Sequence, residues 1–409
     1  MLELLTAAGC KQVPWGERAD IYLVNTCTVT NIADKKSRNM IRRAIGQNPD
    51  GVVCVCGCLA QKERQKLLDE LGVSAVIGTE DRCGIVRIVR DCLAGKHVNA
   101  VRDIAAAREF EALGVKTSGE LTRGYIKIQE GCGNFCSYCI IPYVRGPVRS
   151  RPAESILGEA RALAEGGVRE VVLTGIHISS YGQDGGESLL AMLGGLAQVK
   201  GVVRIRLGSM EPPVFTEGFA RALSGIKKVC PHFHVSLQSG SAGVLLRMNR
   251  KYTPGEYKGF LRNIRKYYDA PAITTDVITG FPGETEEEFL ETARFVQDAG
   301  FARLHVFPYS EREGTPAAKM GGRVPPDVRK ARAKQLAEMG ETLLNRYRDQ
   351  FAGTKQLVLF EQERGGHSYG YTDRYVRVRA AGGYAGQMKK VLLAAAHGAI
   401  MEATIIEGE

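Results

Sequence analysis

Three cysteines, Cys132, Cys136 and Cys139, follow an apolar run at C-x3-C-x2-C spacing. Three thiolates can hold a [4Fe–4S] cluster and leave one iron without a protein ligand. An iron with an open position can bind an external chelating molecule. A structural zinc site would need four ligands, and no fourth cysteine or histidine lies nearby in the sequence. The motif therefore predicts an iron–sulfur cluster whose open iron takes part in chemistry.

Composition limits the class of protein that carries this motif. The 409 residues include 11 cysteines, and 55 Lys and Arg against 45 Asp and Glu give a net charge of +10. The hydrophobic fraction of 44% and the charged fraction of 24% are ordinary globular values, which exclude a disordered chain. No apolar run approaches the roughly 20 residues that span a bilayer, and the start lacks the basic residues of an export signal. We therefore expect a cytoplasmic protein with reduced thiols, no membrane partner and a polyanionic partner.

Residues 1–100 alternate strand-like runs with helix-like runs, which predicts a small open parallel α/β sheet. The predicted strands are 19–27, 51–58 and 74–78, and the predicted helices are 33–46 and 59–72. Residues 101–122 carry mixed charge without strong periodicity, and we interpret them as a linker. The N-terminal domain is therefore expected to end near residue 100.

Residues 123–350 repeat the strand–helix pattern six times. The predicted strands are 125–131, 169–178, 202–210, 232–239, 272–281 and 301–310. Six βα units in about 200 residues predict a (βα)6 partial barrel, and chemistry on such folds lies at the C-terminal ends of the strands. The three cysteines directly follow the first of these strands.

After a long helix predicted at 325–351, residues 351–409 contain short runs spaced 8–12 residues apart. This spacing predicts a small antiparallel β-barrel of the OB-like kind that often binds RNA. The barrel carries basic residues interleaved with tyrosines: Arg374, Arg377, Arg379, Lys389, Lys390, Tyr369, Tyr371 and Tyr375. Basic side chains contact phosphates and tyrosines stack on bases. A solvated surface above core tyrosines is the alternative interpretation.

The cysteine motif resembles that of the radical S-adenosylmethionine superfamily. There the open iron binds the amino and carboxylate groups of S-adenosylmethionine, and one electron from the cluster cleaves the sulfonium C–S bond. The resemblance implies that Cys132, Cys136 and Cys139 are the catalytic cluster ligands. Tyr138 matches the aromatic residue that is usual in this motif and would pack beside the adenine.

Polar and glycine-rich turns follow the later strands in order: LTGIHI at 173–178, RIRLGSME at 204–211, HVSLQSGS at 234–241 and VITGFPGE at 277–284. The resemblance implies that these turns contact S-adenosylmethionine. The residues it implicates are Gly175, Arg206, Glu211, Gln238 and Gly280. Each turn alone is equally typical of ordinary turn chemistry, but their order along the barrel favours a cofactor site. His177 also ends a strand, whereas we interpret His232, His234 and His305 as structural.

The resemblance extends over nearly the whole chain to the methylthiotransferases, with an N-terminal α/β domain, a radical barrel and a C-terminal TRAM-type barrel. The segments that are most similar to the tRNA threonylcarbamoyladenosine C2-methylthiotransferases are 25–39, 127–151, 173–182 and 307–318. Isopentenyladenosine-modifying relatives usually have Gln-Asn, and ribosomal-protein-modifying relatives Gln-Asp, where this chain has Ile176-His177.

This family resemblance implies methylthiolation at C2 of N6-threonylcarbamoyladenosine next to the tRNA anticodon. The implied partners are a tRNA that carries this nucleoside, an electron donor and a sulfur donor. Alternatives are a methylthiotransferase for isopentenyladenosine tRNA or for a ribosomal protein side chain. An Fe–S RNA-binding protein that truncation has made inactive is a further alternative.

The family also carries a second [4Fe–4S] cluster on three N-terminal cysteines, of which Cys27 and Cys58 have clear counterparts here. Cys10 lies only 17 residues before Cys27 and follows a helix-like run rather than a strand, so we do not assign it. We interpret Met1 as an internal methionine after a missing first strand. In the alternative, Cys10, Cys54 or Cys56 supplies the third thiolate. We expect reductive cleavage of S-adenosylmethionine by this chain but weak or absent methylthiolation.

Overall fold

The computed structural model describes residues 1–113 and 122–406, which form two compact units. The first unit contains residues 1–113, 130–151 and 310–319, and the second contains 122–129, 152–309 and 320–406. Part of the predicted linker, 114–121, and residues 407–409 lie outside the described residues. No helix among those described is both long and apolar enough to cross a membrane.

A parallel sheet with the strand order β1-β2-β3-β4 forms the centre of the first unit. Its strands are β1 Ile21–Thr26, β2 Val52–Gly57, β3 Ala75–Ile77 and β4 Val98–Ala100, and its helices are α1 Leu2–Ala7, α2 Asn31–Gln47, α3 Cys58–Glu63, α4 Gln65–Leu71 and α5 Ile85–Leu93. Both faces of β2 are buried, one in a core with residues of α2, α3 and α4 and the other in a core with residues of α1 and α5. The predicted open parallel α/β sheet is confirmed.

Two local details differ from the predictions for this unit. The helix predicted at 59–72 is broken at Arg64, whose φ of +49° lies in the left-handed region. The break separates α3 from α4 within one amphipathic pattern. Strand β4 was not predicted, because its three residues are too few to show a period of two.

The cysteine loop also belongs to the first unit and is followed by two short elements. These are α6 Ile141–Arg145 and β6 Arg149–Ser150. Pro142 occupies the first turn of α6, where its missing N–H leaves no helical hydrogen bond unmade. The short helix therefore begins directly after the cysteines.

The second unit contains the parallel strands of the partial barrel, and all six predicted strands are present. They are β5 Arg123–Glu130, β7 Glu170–Gly175, β8 Arg204–Leu207 continued by β9 Ser209–Met210, β10 His232–Val235, β11 Ala272–Thr279 and β12 Arg303–Pro308. The order along the sheets is β5-β7-β8 and β9-β10-β11-β12. The third predicted strand is interrupted at Gly208, whose backbone lies too close to Leu173 for a side chain without local adjustment.

Helices between these strands cover the outer face of the barrel with a large apolar core. They are α7 Ala153–Glu165, α8 Leu189–Gln198, α9 Glu217–Ser224, α10 Ala242–Arg247, α11 Pro254–Tyr267, α12 Glu286–Ala299 and α13 Pro326–Asp349. Thr253 and Thr285 begin α11 and α12 with capping boxes, in which each threonine accepts a hydrogen bond from a backbone N–H of the first turn. These two helices thus start at positions that the sequence encodes.

The C-terminal strands close into a five-stranded barrel with the order β13-β14-β15-β17-β16. They are β13 Lys355–Arg364, β14 His367–Thr372, β15 Arg377–Ala381, β16 Met388–His397 and β17 Ile400–Ile405. All neighbouring pairs are antiparallel except β15 and β17, which are parallel. The predicted small β-barrel is confirmed, with this one parallel pair as a difference.

A buried carboxylate joins the first strands of the partial barrel. Glu170, the first residue of β7, is fully buried and contacts three arginines. Its carboxylate lies 2.8 Å from Arg206 Nε, 3.2 Å from Arg123 Nε and 3.5 Å from Arg204 Nη1. Burial opposes ionisation of Glu170, but Arg206 and the other two guanidinium groups hold its pKa below the usual carboxyl range.

The same arginines attach the C-terminal barrel to the N-terminal ends of these strands. Arg204 donates to the carbonyl oxygen of Tyr371 at 3.3 Å, and Arg206 donates to that of Asp373 at 2.9 Å. The guanidinium of Arg206 also lies 4.7 Å from the centre of the Tyr375 ring. The C-terminal barrel therefore closes this end of the partial barrel.

These contacts change the interpretation of the predicted RNA-binding face. The rings of Tyr371 and Tyr375 stack on each other with centroids 4.7 Å apart, and Arg123 lies over both. Arg374 donates to two main-chain carbonyls of residues 269–270, and Arg379 pairs with a glutamate of β17. The predicted basic face therefore does not include Arg374, Tyr371 and Tyr375, whose side chains hold the C-terminal barrel against the rest of the second unit.

We expect Glu170→Gln to lower the thermal unfolding midpoint of the second unit by roughly 6–20 °C. The substitution leaves Arg204 and Arg206 buried without their countercharge, whereas Arg123 keeps its ion pair with Glu361. Such a loss costs about 3–5 kcal/mol, and ~1 kcal/mol shifts the midpoint of a domain this large by roughly 2–4 °C. Calorimetry of the two proteins at neutral pH measures the difference. Glu165→Gln, at the exposed end of α7, is the matched control and should leave the midpoint unchanged.

The stability difference between wild type and Glu170→Gln depends on pH in a direction that the pKa of Glu170 determines. The folded-state pKa of Glu170 is depressed, so its stabilisation is complete above the unfolded carboxyl pKa of about 4.3 and is lost as pH falls through the folded-state pKa. The difference in unfolding midpoint between wild type and Glu170→Gln should therefore be largest at neutral pH and should decrease only in acid. A gap that grows as the pH falls would contradict the assignment.

Candidate cluster and cofactor sites

The three cysteines of the motif lie in a tight loop between β5 and α6. The Cys139 N–H donates to the Cys136 carbonyl at 2.9 Å, and the Cys132 N–H donates to the Gly146 carbonyl at 3.0 Å. Gly131 has a φ of +75°, and a Cβ there would lie 1.8 Å from the Pro147 carbonyl oxygen. Only glycine fits this position, so the segment after the cysteines folds back onto their loop. None of the chain's 11 cysteines, all of which lie in the described residues, forms a disulfide.

Cys27 and Cys58 leave the N-terminal sheet at the same edge. They follow β1 and β2, which are neighbours, and Thr26 and Gly57 are partners in the register. Gly57 has a φ of +96°, and a Cβ there would lie 2.5 Å from the Thr26 carbonyl oxygen. The close approach of the two backbones therefore requires glycine directly before Cys58. Cys27 is exposed, whereas Cys58 is buried.

Cys58 packs against the helix that follows the three-cysteine loop. Its side chain forms a small apolar cluster with Ile140 and Val144. Arg145 Nε donates to the Cys58 sulfur at 3.1 Å, and Arg145 Nη1 lies 3.2 Å from both carboxylate oxygens of Glu130. A guanidinium at this distance stabilises negative charge on sulfur, as in a thiolate or a cluster ligand. The donor set around Cys58 therefore fits an iron–sulfur cluster.

Sequence reasoning did not single out Arg145 or Glu130. Both lie in the segment 127–151 that carries the family resemblance, but a charged residue beside an apolar run is ordinary in sequence. Their roles depend on the fold, which brings Cys58 next to a helix 80 residues further along the chain. The segment's similarity to the family was the signal that could have directed attention to them.

A second contact joins the loop after Cys27 to the stretch that contains Arg312. Arg312 Nη2 donates to Thr28 Oγ1 at 2.6 Å and to Asp34 Oδ2 at 2.8 Å. Burial opposes ionisation of Asp34, but the hydrogen bond from Arg312 holds its pKa below the usual range. The Ala317 N–H donates to the carbonyl of Ser137, inside the three-cysteine loop, at 2.8 Å. One stretch of chain thus contacts the surroundings of both predicted cluster sites.

Of the three cysteines considered as alternative ligands, Cys54 and Cys56 are buried in β2, and Cys10 follows α1. A hydrogen bond with Cys92, together with burial, raises the pKa of Cys54 far above its usual range. Burial raises the pKa of Cys56 to about 11. Cys10 lines a cavity of about 680 Å³ with Ile21, at the start of β1, whereas Cys27 follows its end. The structure therefore does not bring Cys10 together with Cys27 and Cys58.

Two of the predicted cofactor residues are glycines at barrel strand ends. Gly175 ends β7, and a Cβ there would lie 2.8 Å from Ile178 Cγ2. Gly280 follows β11 with a φ of +68°, and a Cβ there would lie 2.0 Å from Arg329 Cγ. Its N–H donates to Glu284 Oε1 at 2.8 Å. Gly175 is exposed at its strand end, whereas Gly280 is buried against the side chain of Arg329.

Glu211 and Gln238 also lie at the C-terminal ends of their strands. Glu211 Oε2 accepts a hydrogen bond from Arg250 at 2.7 Å. Gln238 has a φ of +69°, and its N–H donates to the Asp276 carbonyl of the neighbouring strand at 2.9 Å. Their contacts with S-adenosylmethionine stay predictions, as does the contact of the half-buried Tyr138.

Arg206 does not lie with these residues. Its side chain pairs with Glu170, which begins β7, whereas Gly175 ends the same strand. Its remaining hydrogen bonds go to carbonyl groups of the C-terminal barrel. The predicted cofactor contact of Arg206 is therefore corrected to a structural role at the opposite end of the barrel.

His177 presents an unsatisfied polar group near the strand ends. Its backbone N–H donates to Gln129 Oε1 at 2.7 Å, but both ring nitrogens are buried and have no hydrogen-bond partner in the described structure. Burial lowers the pKa of His177, which the nearby carboxylate of Glu211 only partly opposes. The imidazole is therefore neutral at pH 7 and available as both donor and acceptor.

Comparisons with known proteins agree with this arrangement. Residues 126–296 match the Radical SAM superfamily, and residues 1–78 match the Uncharacterized protein family UPF0004. The chain is similar to threonylcarbamoyladenosine tRNA methylthiotransferase MtaB of Bacillus subtilis, with 42% identity over 92% of this chain and 85% of that protein. It is also similar to tRNA-2-methylthio-N(6)-dimethylallyladenosine synthase of Pelotomaculum thermopropionicum, with 35% identity over 88% of this chain and 82% of that protein.

A solved structure supports the fold at low sequence identity. The radical S-adenosylmethionine methyltransferase TsrM of Kitasatospora setae, with cobalamin and a [4Fe–4S] cluster bound, aligns with a TM-score of 0.57 and 15% identity. The alignment covers 74% of this chain and 64% of that protein. This similarity concerns the fold alone.

We expect the triple variant Cys132→Ala/Cys136→Ala/Cys139→Ala to lose about 4 iron atoms per chain, since these thiols would hold one [4Fe–4S] cluster. Iron and sulfide are measured after anaerobic reconstitution. The iron that remains in the variant, about 4 atoms or almost none, reports whether Cys27 and Cys58 hold a second cluster. Cys83→Ala removes an exposed thiol as the control. Equal iron in the triple variant and wild type would contradict the assignment.

Proposed function

We propose that this chain, which belongs to the methylthiotransferase family of radical S-adenosylmethionine enzymes, attaches a methylthio group to C2 of N6-threonylcarbamoyladenosine in tRNA. The observation that carries the choice of nucleoside is the similarity to the Bacillus subtilis relative named for it. That relative shares more identical residues with this chain than do the relatives named for dimethylallyladenosine. Ile176-His177, where the latter usually have Gln-Asn, supports the same choice.

Cys132, Cys136 and Cys139 would hold the cluster of the radical S-adenosylmethionine family, and Cys27 and Cys58 would contribute to a second one. When bound, the first cluster supplies the electron that cleaves S-adenosylmethionine. Arg145 would balance negative charge on the sulfur of Cys58, and Glu130 would orient its guanidinium. Gly175, which is exposed, would let the cofactor approach the backbone of its strand end. The cofactor contact of Gly280 is proposed on the family resemblance alone.

A basic groove on the C-terminal barrel is the surface that would receive the tRNA. The groove has a volume of about 540 Å³, and its lining includes Arg364, Arg377, Arg379, His367 and Tyr369. Arginines bind phosphates, and an aromatic ring beside them stacks on bases. The groove keeps part of the predicted basic surface, away from the tyrosines that hold the barrel in place. A TRAM-type role for this barrel rests on the same groove.

The reaction consumes electrons and a sulfur atom, so an external reductant and a sulfur donor are proposed as further partners. A tRNA substrate also implies that the enzyme acts in the cytoplasm. Because the C2 hydrogen of adenine is neither acidic nor part of a leaving group, acid–base residues are secondary to positioning. The chain's task is to hold the base with C2 facing the cofactor.

Transfer of deuterium from C2 tests the proposed function. An anticodon stem-loop with C2-deuterated N6-threonylcarbamoyladenosine should yield deuterated 5′-deoxyadenosine, because the 5′-deoxyadenosyl group takes the hydrogen from C2. Mass spectrometry measures the label, and this readout does not require completed sulfur transfer. The matched stem-loop with C2-deuterated isopentenyladenosine is the comparison. Label from that RNA and none from the threonylcarbamoyl RNA would overturn the choice of substrate.

A further inference from the structure

Two histidines and an aspartate meet on three neighbouring strands of the partial barrel. His234 is on β10, Asp276 on β11 and His305 on β12. His234 Nε2 lies 3.1 Å from Asp276 Oδ2, and His305 Nδ1 lies 3.3 Å from Asp276 Oδ1. The two imidazole rings stack with centroids 5.5 Å apart. We call these three residues the His–Asp–His cluster.

The cluster faces the inside of the barrel. Phe233 and Val235 of β10 belong to the apolar core beneath the helices, and Leu304 and Val306 of β12 pack against it. Because side chains of a strand alternate between its faces, His234 and His305 point to the other side. Sequence reasoning interpreted both histidines as structural, because neither falls at a strand end.

The cluster lies directly beside a predicted cofactor residue. The carbonyl of Asp276 accepts the backbone N–H of Gln238, at the C-terminal end of the neighbouring strand. Asp276 and His305 are also partners in the register of β11 and β12. A ligand held by this cluster would therefore lie next to the strand ends that are expected to contact S-adenosylmethionine.

Only one member of the cluster has an uncommitted polar atom. His234 uses Nδ1 towards Thr274 Oγ1 at 3.0 Å and Nε2 towards Asp276. Both oxygens of Asp276 face an imidazole, and these hydrogen bonds hold the Asp276 pKa well below its usual range although burial opposes ionisation. The His305 side chain is 42% exposed, and its Nε2 has no partner among the described residues. The hydrogen bonds of the cluster thus fix the orientation of the His305 ring and leave its Nε2 available to a ligand.

A divalent metal ion is a less suitable occupant. The ligand atoms lie within 4.8 Å of one another, which a metal site requires. However, His234 and Asp276 have complete hydrogen bonding without an ion, and the two imidazoles address different carboxylate oxygens. A polar organic ligand that bonds to His305 leaves these contacts in place, whereas a shared ion would replace them.

Phe307 adds an aromatic surface beside the cluster. It is the next residue on the same face of β12 after His305, and it is 48% exposed. Two residues along a strand span roughly 7 Å, so a flat base on Phe307 would place a substituent over His305. An exposed aromatic ring next to a polar platform fits a nucleoside with a polar extension.

We propose that the His–Asp–His cluster binds the threonylcarbamoyl substituent of the substrate. His305 Nε2 accepts a hydrogen bond from its hydroxyl group when the imidazole is neutral, or donates one to its carboxylate when the ring is an imidazolium. This inference rests on the proposed function, which supplies the nucleoside. An apolar dimethylallyl group offers no partner to His305 and would leave Nε2 unsatisfied when it displaces water. The cluster therefore discriminates between the two classes of modified adenosine named among the relatives.

Binding of anticodon stem-loops to the full chain tests this assignment. We measure dissociation constants by fluorescence anisotropy for wild type and His305→Leu, using stem-loops with threonylcarbamoyladenosine or plain adenosine. We expect wild type to prefer the modified loop and His305→Leu to lose about tenfold affinity for that loop only, the scale of one hydrogen bond to a charged group. His305→Gln retains a side-chain donor and acceptor and should recover part of the preference.

Controls separate this inference from a folding defect and from the proposed function. His397→Leu, an exposed residue of β16, should bind both loops and cleave S-adenosylmethionine without RNA like wild type. Unchanged binding of the plain adenosine loop by His305→Leu shows that this variant is folded. If His305→Leu still prefers the threonylcarbamoyladenosine loop as strongly as wild type does, the inference is overturned. This holds even when deuterium transfer from threonylcarbamoyladenosine supports the proposed function. In a further outcome, His305→Leu loses the preference for the threonylcarbamoyladenosine loop while wild type transfers no deuterium from that loop. This result supports the binding role of the cluster and overturns the proposed reaction at C2. One equivalent of zinc bound by wild type but not by His305→Leu also overturns the inference.

Discussion

The interaction on which the second unit depends is the buried Glu170 carboxylate with its three arginines. A buried charge is expensive unless it is paired and hydrogen-bonded, and this one is shared by guanidinium groups from β5 and β8. It fixes where the first parallel strands begin relative to one another. In a parallel sheet, fixed beginnings also fix the relative heights of the strand ends. The positions of Gly175 and the other turns therefore depend on an ion cluster at the far end of the barrel.

Both units place their candidate site residues by the same rule. Cys27 and Cys58 follow neighbouring parallel strands, and the barrel turns follow theirs. In each case a glycine lies at the strand end: Gly57 permits the close approach of the Thr26 backbone, and Gly280 makes room for the side chain of Arg329. Arg145 then supplies what glycine cannot, a positive charge beside the sulfur of Cys58. The strands therefore determine where the candidate site residues lie, and a charged side chain such as Arg145 determines the electrostatic environment of the sulfur.

Sequence reasoning succeeded where a feature is local. The apolar runs predicted every barrel strand, and the spacing of Cys132, Cys136 and Cys139 predicted a cluster, because both signals lie within a few residues. It failed where the role depends on distant contacts. Arg206 lies on a strand that precedes a predicted cofactor turn, but its side chain pairs with Glu170. No local sequence pattern shows at which end of the barrel a side chain of that strand lies. Arg64 breaks a helix whose apolar pattern continues through it. The pairing of His305 with Asp276 also lies beyond any local pattern, because the two residues are on different strands.

The position of Tyr375 has a consequence for how this architecture can evolve. Its ring stacks on His232 and lies over Arg123 and Arg206, so a side chain of the C-terminal barrel completes the base of the catalytic barrel. The C-terminal barrel is therefore not an interchangeable module on a tether. Exchange of this barrel for an unrelated domain would also require replacement of the buried arginines that contact it. Because the two barrels share this packing, we expect them to be inherited together. Sequence changes are tolerated more readily in the exposed groove and at the strand ends.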